Sequence, residues 1–270
     1  MATESGLQDS PSPDVLNEVS KFTLRVCTPL YWHDRRVPFP KDMRGGSCFI
    51  LRFGERLIGV TADHVLQIYQ SDRAKNPAIV CQLRLMEFAL HDAVIDHDTN
   101  LDIATFAVSE SQLKEIEGMA IDCTGQWPPP APMRMRAVSL AGFPEKLRVT
   151  YANRSADFAA YGGLSAIEDF SEREILLTFD PTREQTLGGL PLPPLGLNMS
   201  GCSGGPVLMH GVRNRLHRWF PVGIIIAGPN RDTGDERGDA EAFDTIRVRR
   251  IHFLRQDGTI DRPEPGWLPS

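Results

Sequence analysis

Gly201-Cys202-Ser203-Gly204-Gly205-Pro206, running directly into the apolar Val207-Leu208-Met209, is the most informative stretch of the chain. A serine between glycines can occupy a tight turn whose backbone N–H groups converge on one small space. Acyl transfer needs that arrangement, because charge developing on the attacked oxygen must meet preorganised donors. Gly204 and Gly205 remove side chains that would block a substrate, and Pro206 opens the next strand. The same string also reads as an ordinary Gly-rich turn, so partners elsewhere must decide between the two.

A serine hydroxyl is a weak nucleophile without an imidazole beside it, and the imidazole needs an orienting carboxylate. His64 ends the apolar run Ile58-Gly59-Val60-Thr61-Ala62-Asp63 and is the best placed of seven histidines. Asp102 leads into Ile103-Ala104-Thr105-Phe106-Ala107-Val108, where a carboxylate would be partly buried and would require a partner. Taken singly, His64 reads as a surface or core histidine and Asp102 as a strand-entry cap.

Together, Thr61-Ala62-Asp63-His64, Asp102-Ile103-Ala104 and Gly201 to Pro206 resemble the chymotrypsin/trypsin-like serine peptidases in order and motif. Gly46-Ser47-Cys48-Phe49, Gly142-Phe143-Pro144 and Val222-Gly223-Ile224 are similar to further family strands, and the resemblance spans about Phe22 to Leu254. It implies an all-β fold of two six-stranded antiparallel β-barrels with an active-site cleft between them. It further implies Ser203 as nucleophile, His64 as general base and then acid, and Asp102 as the group that orients His64. The backbone N–H groups of Gly201 and Ser203 would form the oxyanion hole. Leu197, six residues before the serine, and Ile226 and Gly228 on the cleft-edge strand are the substrate-pocket candidates. No acidic residue marks the pocket floor, so a preference for Lys or Arg is unsupported. No cofactor and no metal are implied.

The chain departs from the family pattern at two places. Asp63 replaces the small residue usual before the histidine, and an outward pose is expected for it. Cys202 stands where many secreted members carry an Asp that pairs with a new N-terminus, so activation by N-terminal processing is not expected. Cysteine variants of this fold place the cysteine directly before the Gly-Gly pair, a position that Ser203 holds here.

Composition agrees with a strand-rich fold: 23 glycines and 21 prolines in 270 residues are about one residue in six, above the usual level of roughly one in eight. A helical bundle is disfavoured, and 41% hydrophobic residues allow a sizeable core. The net charge of −6 does not favour nucleic acid as a partner. The longest apolar run, near Pro221–Pro229, is about half a membrane span. Met1 to Asp14 lacks a basic segment followed by an apolar one, so neither a secretory signal nor a membrane partner is expected. Five cysteines, an odd number without C-x-x-C spacing, read as reduced buried thiols. A cytoplasmic location follows as the expectation; the oligomeric state stays open.

Along the chain, residues 1–19 read as a mobile tail and 20–255 as the peptidase-like domain, followed by a C-terminal tail at 256–270. Within the domain the first barrel is expected over 20–125 and the second over 133–239, with a Pro-rich crossover at Pro128-Pro129-Pro130. Phe22–Thr28 has strand composition. Ser109 with Gln112 fits a capping box opening a short helix. Ile246, Val248, Ile251 and Leu254 stand at near-helical spacing, which predicts a C-terminal helix over 240–255.

The leading reading is a serine endopeptidase acting on a polypeptide substrate. A second is a protease-like binding module without turnover. A metal-dependent hydrolase using His91, Asp92, Asp96, His97 and Asp98 is a distant third, since their spacing matches no closed site.

Overall fold

The computed structural model describes residues 13–37, 43–151, 155–179, 198–213, 216–228 and 244–262. Of the described residues, strands account for 48% and helix for 20%. The N-terminal part holds β1 (Cys27–Asp34), β2 (Arg44–Phe53), β3 (Arg56–Thr61), β4 (Ile79–Leu83), β5 (Met86–Glu87), β6 (Val94–Asp98), β7 (Ile103–Val108) and β8 (Ala120–Asp122). The remainder holds β9 (Ala137–Gly142), β10 (Arg148–Tyr151), β11 (Ser155–Phe158), β12 (Tyr161–Phe170), β13 (Glu174–Phe179), β14 (Pro206–Arg213), β15 (Leu216–Ala227) and β16 (Asp244–Arg250). Helices are α1 (Pro13–Val26), α2 (Asp63–Lys75), α3 (Leu90–Ala93) and α4 (Glu110–Glu115).

One of the two expected barrels closes: β12-β13-β16-β15-β14-β9 form a complete six-stranded ring. The N-terminal sheet runs β5-β4-β1-β2-β3-β7-β6, and among the described residues its ends do not pair. The order terminates in β5, whose two residues offer little backbone for a second ladder. On one edge, β2 is shared by antiparallel β1 over Arg44–Phe49 and by parallel β8 over Ile50–Arg52. Both faces carry side chains with almost no exposure: Phe49, Leu51, Ile58 and Val60 on one, Ile50 and Phe106 on the other. Each such side chain contributes about 1.5–3 kcal/mol on burial.

Three expectations about the chain ends need correction. Residues 13–26 form α1 instead of tail and strand: Val19, Thr23 and Val26 are buried at spacings of three and four, a helical stripe. Beyond it, β1 supplies a strand that composition did not single out. No helix covers 244–250, which pair with β13 and β15 as β16. There Ile246 and Val248 are buried while Thr245 and Arg247 are exposed, an alternation of period two that belongs to a strand. Residues 256–262 fold back through a Leu254–Ile260 bridge and are tied to the N-terminal sheet by Thr105 and Asp96, so that part of the expected C-terminal tail is ordered structure. The Ser109 capping box opens α4. All five cysteines are free and buried.

Candidate functional site

Ser47, in the N-terminal sheet, holds the Gly201–Pro206 turn in place. Its N–H donates to Ser203 O at 2.8 Å and its hydroxyl to Gly201 O at 2.8 Å. The same hydroxyl accepts from Phe143 N–H at 2.9 Å, and Ser47 O accepts from Thr61 Oγ1 at 2.8 Å. Ser47 is fully buried, so each polar atom it carries is paired inside the protein.

Within the turn, Cys202 N–H donates to Met199 O, Gly204 N–H to Ile225 O and Gly205 N–H to Cys202 O. The N–H groups of Gly201 and Ser203 have no acceptor among the described residues. Their directions are nevertheless set. Glu145 N–H binds Ser200 O at 2.8 Å and Gly205 N–H binds Cys202 O at 2.9 Å. In a trans peptide the N–H points opposite the carbonyl, so Gly201 N–H points away from Glu145 and Ser203 N–H away from Gly205. Glycine is needed at 201, where φ is +92° and a Cβ would lie 2.5 Å from Phe143 O. It is needed equally at 204, where φ is +88° and a Cβ would lie 2.0 Å from Ser47 O.

His64 lies in the first turn of α2, three residues beyond the end of β3 at Thr61. Val65, Leu66 and Tyr69 bury the helix against the N-terminal sheet. Ala62, the residue before α2, supplies no side-chain cap. Asp102 caps the helix instead, its Oδ1 accepting His64 N–H at 2.9 Å and satisfying a donor that the helix leaves orphaned. The same carboxyl lies 2.9 and 3.0 Å from His64 Nδ1. Burial opposes ionisation of Asp102, but the hydrogen bonds and charge of His64, with a contribution from Arg249, hold its carboxyl below the ordinary value. An ionised carboxylate only accepts, so Nδ1 carries the ring proton and Nε2 of the neutral ring is left as an acceptor. Asp102 itself sits at φ +53°, in the left-handed region that Asp tolerates better than most residues.

His64, Gly201 and Ser203 line one cleft of about 510 Å³ together with Trp32, Met43, Arg44, Ile68 and Glu145. Among the described residues, no hydrogen bond joins the Ser203 hydroxyl to the His64 ring. Cys202 points elsewhere. It is fully buried against Gly142, and burial pushes its thiol well above the ordinary value.

The pocket candidates fare differently. Leu197 lies outside the described residues. Ile226 and Gly228 are not on the wall of the cleft, and Met199 covers Gly228, where a Cβ would lie 2.8 Å from Met199 Cβ. Trp32, Arg44, Ile68 and Glu145 were not singled out by sequence, since no local motif marks them.

Asp63 does not adopt the expected outward pose. Its side chain is 1% exposed and bonds His97 Nδ1 at 2.9 Å and Gln67 Nε2 at 2.5 Å, leaving Asp102 to His64 alone. A buried carboxylate requires such partners. The residues of the metal alternative have other partners: His91 bonds Tyr69, Arg73 and Asp92, His97 bonds Asp63 and gives its N–H to Asp96, and Asp96 and Asp98 bind Arg262. Among the described residues, no group of three His, Cys, Asp or Glu side chains is placed to hold a metal ion. No described helix is long and apolar enough to cross a membrane.

No protein-family model matches the chain, and no curated protein matches its sequence. Among solved structures, the chain is similar to one from work on aromatic interactions that drive the coupled folding and binding of the intrinsically disordered Sesbania mosaic virus VPg protein. The identity is 12%, over 85% of this chain and 91% of that one, with a TM-score of 0.45.

Proposed function

We propose that the chain is a serine endopeptidase of the chymotrypsin/trypsin-like type. The observation that carries this reading is the pair of N–H groups at Gly201 and Ser203 that have no acceptor among the described residues, with fixed peptide planes, in the cleft that His64 also lines. Ser203 Oγ attacks a peptide carbonyl while His64 Nε2 takes its proton. Asp102 keeps the His64 proton on Nδ1 and stabilises the imidazolium that forms. The two N–H groups bind the oxyanion, and His64 then protonates the leaving amine as general acid. Water repeats the sequence on the acyl-enzyme. The substrate is a polypeptide; the net charge of −6 argues against nucleic acid.

Replacing Ser203 by Ala tests the reading: peptide hydrolysis and fluorophosphonate labelling both disappear in a protein that melts as the wild type does. Labelling that persists in Ser203→Ala would overturn the assignment of the nucleophile.

One observation favours a protease-like binding module without turnover, namely that no hydrogen bond joins the Ser203 hydroxyl to the His64 ring among the described residues. Such contacts are often long without substrate and tighten in the bound complex. Capture of a peptide by wild-type protein that neither cleaves it nor takes up the probe would select this second reading.

A further inference from the structure

After β16 the chain crosses back to the N-terminal sheet. Gly258 O accepts from the buried hydroxyl of Thr105 at 2.6 Å, and Ile260 N–H donates to Asp96 Oδ2 at 2.9 Å. Arg262 then spreads its guanidinium over the end of β6. Nη2 donates to Asp96 Oδ1 at 2.6 Å and to His97 O at 2.9 Å, Nη1 reaches Asp96 Oδ2 at 3.1 Å, and Nε lies 3.1 Å from Asp98 Oδ2.

The residues held in this way reach the positions immediately before His64 and Asp102. His97 Nδ1 bonds Asp63, the neighbour of His64, and Asp98 Oδ1 accepts the N–H of Leu101, the neighbour of Asp102, at 2.8 Å. Gln67 adds a cross-tie by donating to Asp63 Oδ2 and to Thr99 Oγ1. Asp102 follows in a left-handed conformation, which a non-glycine residue keeps only where its surroundings impose it.

We infer that residues 258–262 form a positioning strap for the His64–Asp102 pair. Arg262 fixes the 96–101 segment, and that segment fixes the residue preceding each member of the pair. Arg262, Asp96, His97 and Asp98 are positioning residues, because none of them touches the reacting atoms. Planar guanidinium geometry suits this role, since one side chain can bridge two carboxylates and a carbonyl at once. The kinetic consequence rests on the peptidase reading; the structural one does not.

The test compares full-length Arg262→Ala with Arg134→Ala, which removes the exposed Arg134–Asp169 pair, neither member of which bonds this segment. The first readout, taken without substrate, is the low-field proton resonance of His64 Nδ1–H hydrogen-bonded to Asp102. The second is kcat and KM on a peptide substrate. In Arg262→Ala the resonance broadens or moves upfield and kcat falls by up to about 100-fold at unchanged KM, the scale expected when a catalytic group loses its alignment. Arg134→Ala matches the wild type in both. An unaltered resonance in folded Arg262→Ala, or an equal change in Arg134→Ala, would overturn the strap. Should Arg262→Ala not fold, Arg262→Lys, which keeps the charge but cannot bridge both carboxylates, is read by the same resonance and criterion. A wild type that cleaves nothing, with the Arg262 effect on the resonance intact, would overturn the peptidase reading and support the strap.

Discussion

The Ser47 hydroxyl donates to the carbonyl of Gly201 at 2.8 Å, joining residues 154 positions apart. Through this bond a strand of the N-terminal sheet determines the shape of a turn entering the C-terminal barrel. Ser47→Ala removes the hydroxyl and leaves Gly201 O and Phe143 N–H without their partner. Leaving a buried polar group unpaired costs about 1–3 kcal/mol. Ser47→Ala is therefore expected to unfold at lower urea concentration and to react more slowly with a fluorophosphonate. Equal stability and equal labelling would show that the turn keeps its shape unaided.

Asp102→Asn preserves size but offers an amide where His64 Nδ1 meets a carboxylate. The Asn oxygen can still cap His64 N–H, so the fold is retained. Its NH₂ group then faces Nδ1 and favours the opposite tautomer, placing the proton on Nε2. On the proposed mechanism kcat falls by about 10³–10⁴-fold, measured on a peptide substrate at neutral pH.

His252 gives a stability profile with a defined sign. Burial, and then the charge of Arg250, lower its imidazole from 6.5 to about 4, and Nδ1 is buried without a partner among the described residues. Between these values the unfolded chain binds the proton and the native state does not. This contribution to stability is therefore full above the unfolded value, falls as the pH drops from 6.5, and levels off below about 4. His252→Phe keeps an aromatic ring beside Phe253 and should show a shallower fall in urea midpoint between pH 6.5 and about 4. An identical slope in both proteins would count against the buried neutral histidine.

Sequence made the site more legible than the architecture around it. The strands Arg56–Thr61 and Ile103–Val108 lie on the apolar runs that lead to His64 and follow Asp102, because both runs are short and bounded by polar residues. The C-terminal helix misread Ile246 and Val248, since a brief apolar series fits periods of two and of nearly four equally well until its neighbours are known. In α1 the β-branched and aromatic content of Phe22–Val26 outweighed the helical spacing of Val19, Thr23 and Val26. At the site, His64 and Asp102 form a bonded pair, and Ser203 lines the same cleft as His64. Ser47, Glu145 and Arg262 were not assigned roles from sequence, because their contacts are to backbone or carboxylate groups far away in the chain. Asp63 went the other way: an isolated sequence reading sends a carboxylate to solvent, and only the packing of β6 against α2 supplies His97 as its partner.

The central claim is that Ser203 is an activated nucleophile in the folded wild-type protein. Incubation with a fluorophosphonate, followed by intact mass and peptide mapping, tests it most directly. The account predicts one adduct per chain, located on Ser203, absent after heat denaturation and strongly reduced in Asp102→Asn. A folded wild type that takes up no probe, or an adduct on any other residue, would contradict it.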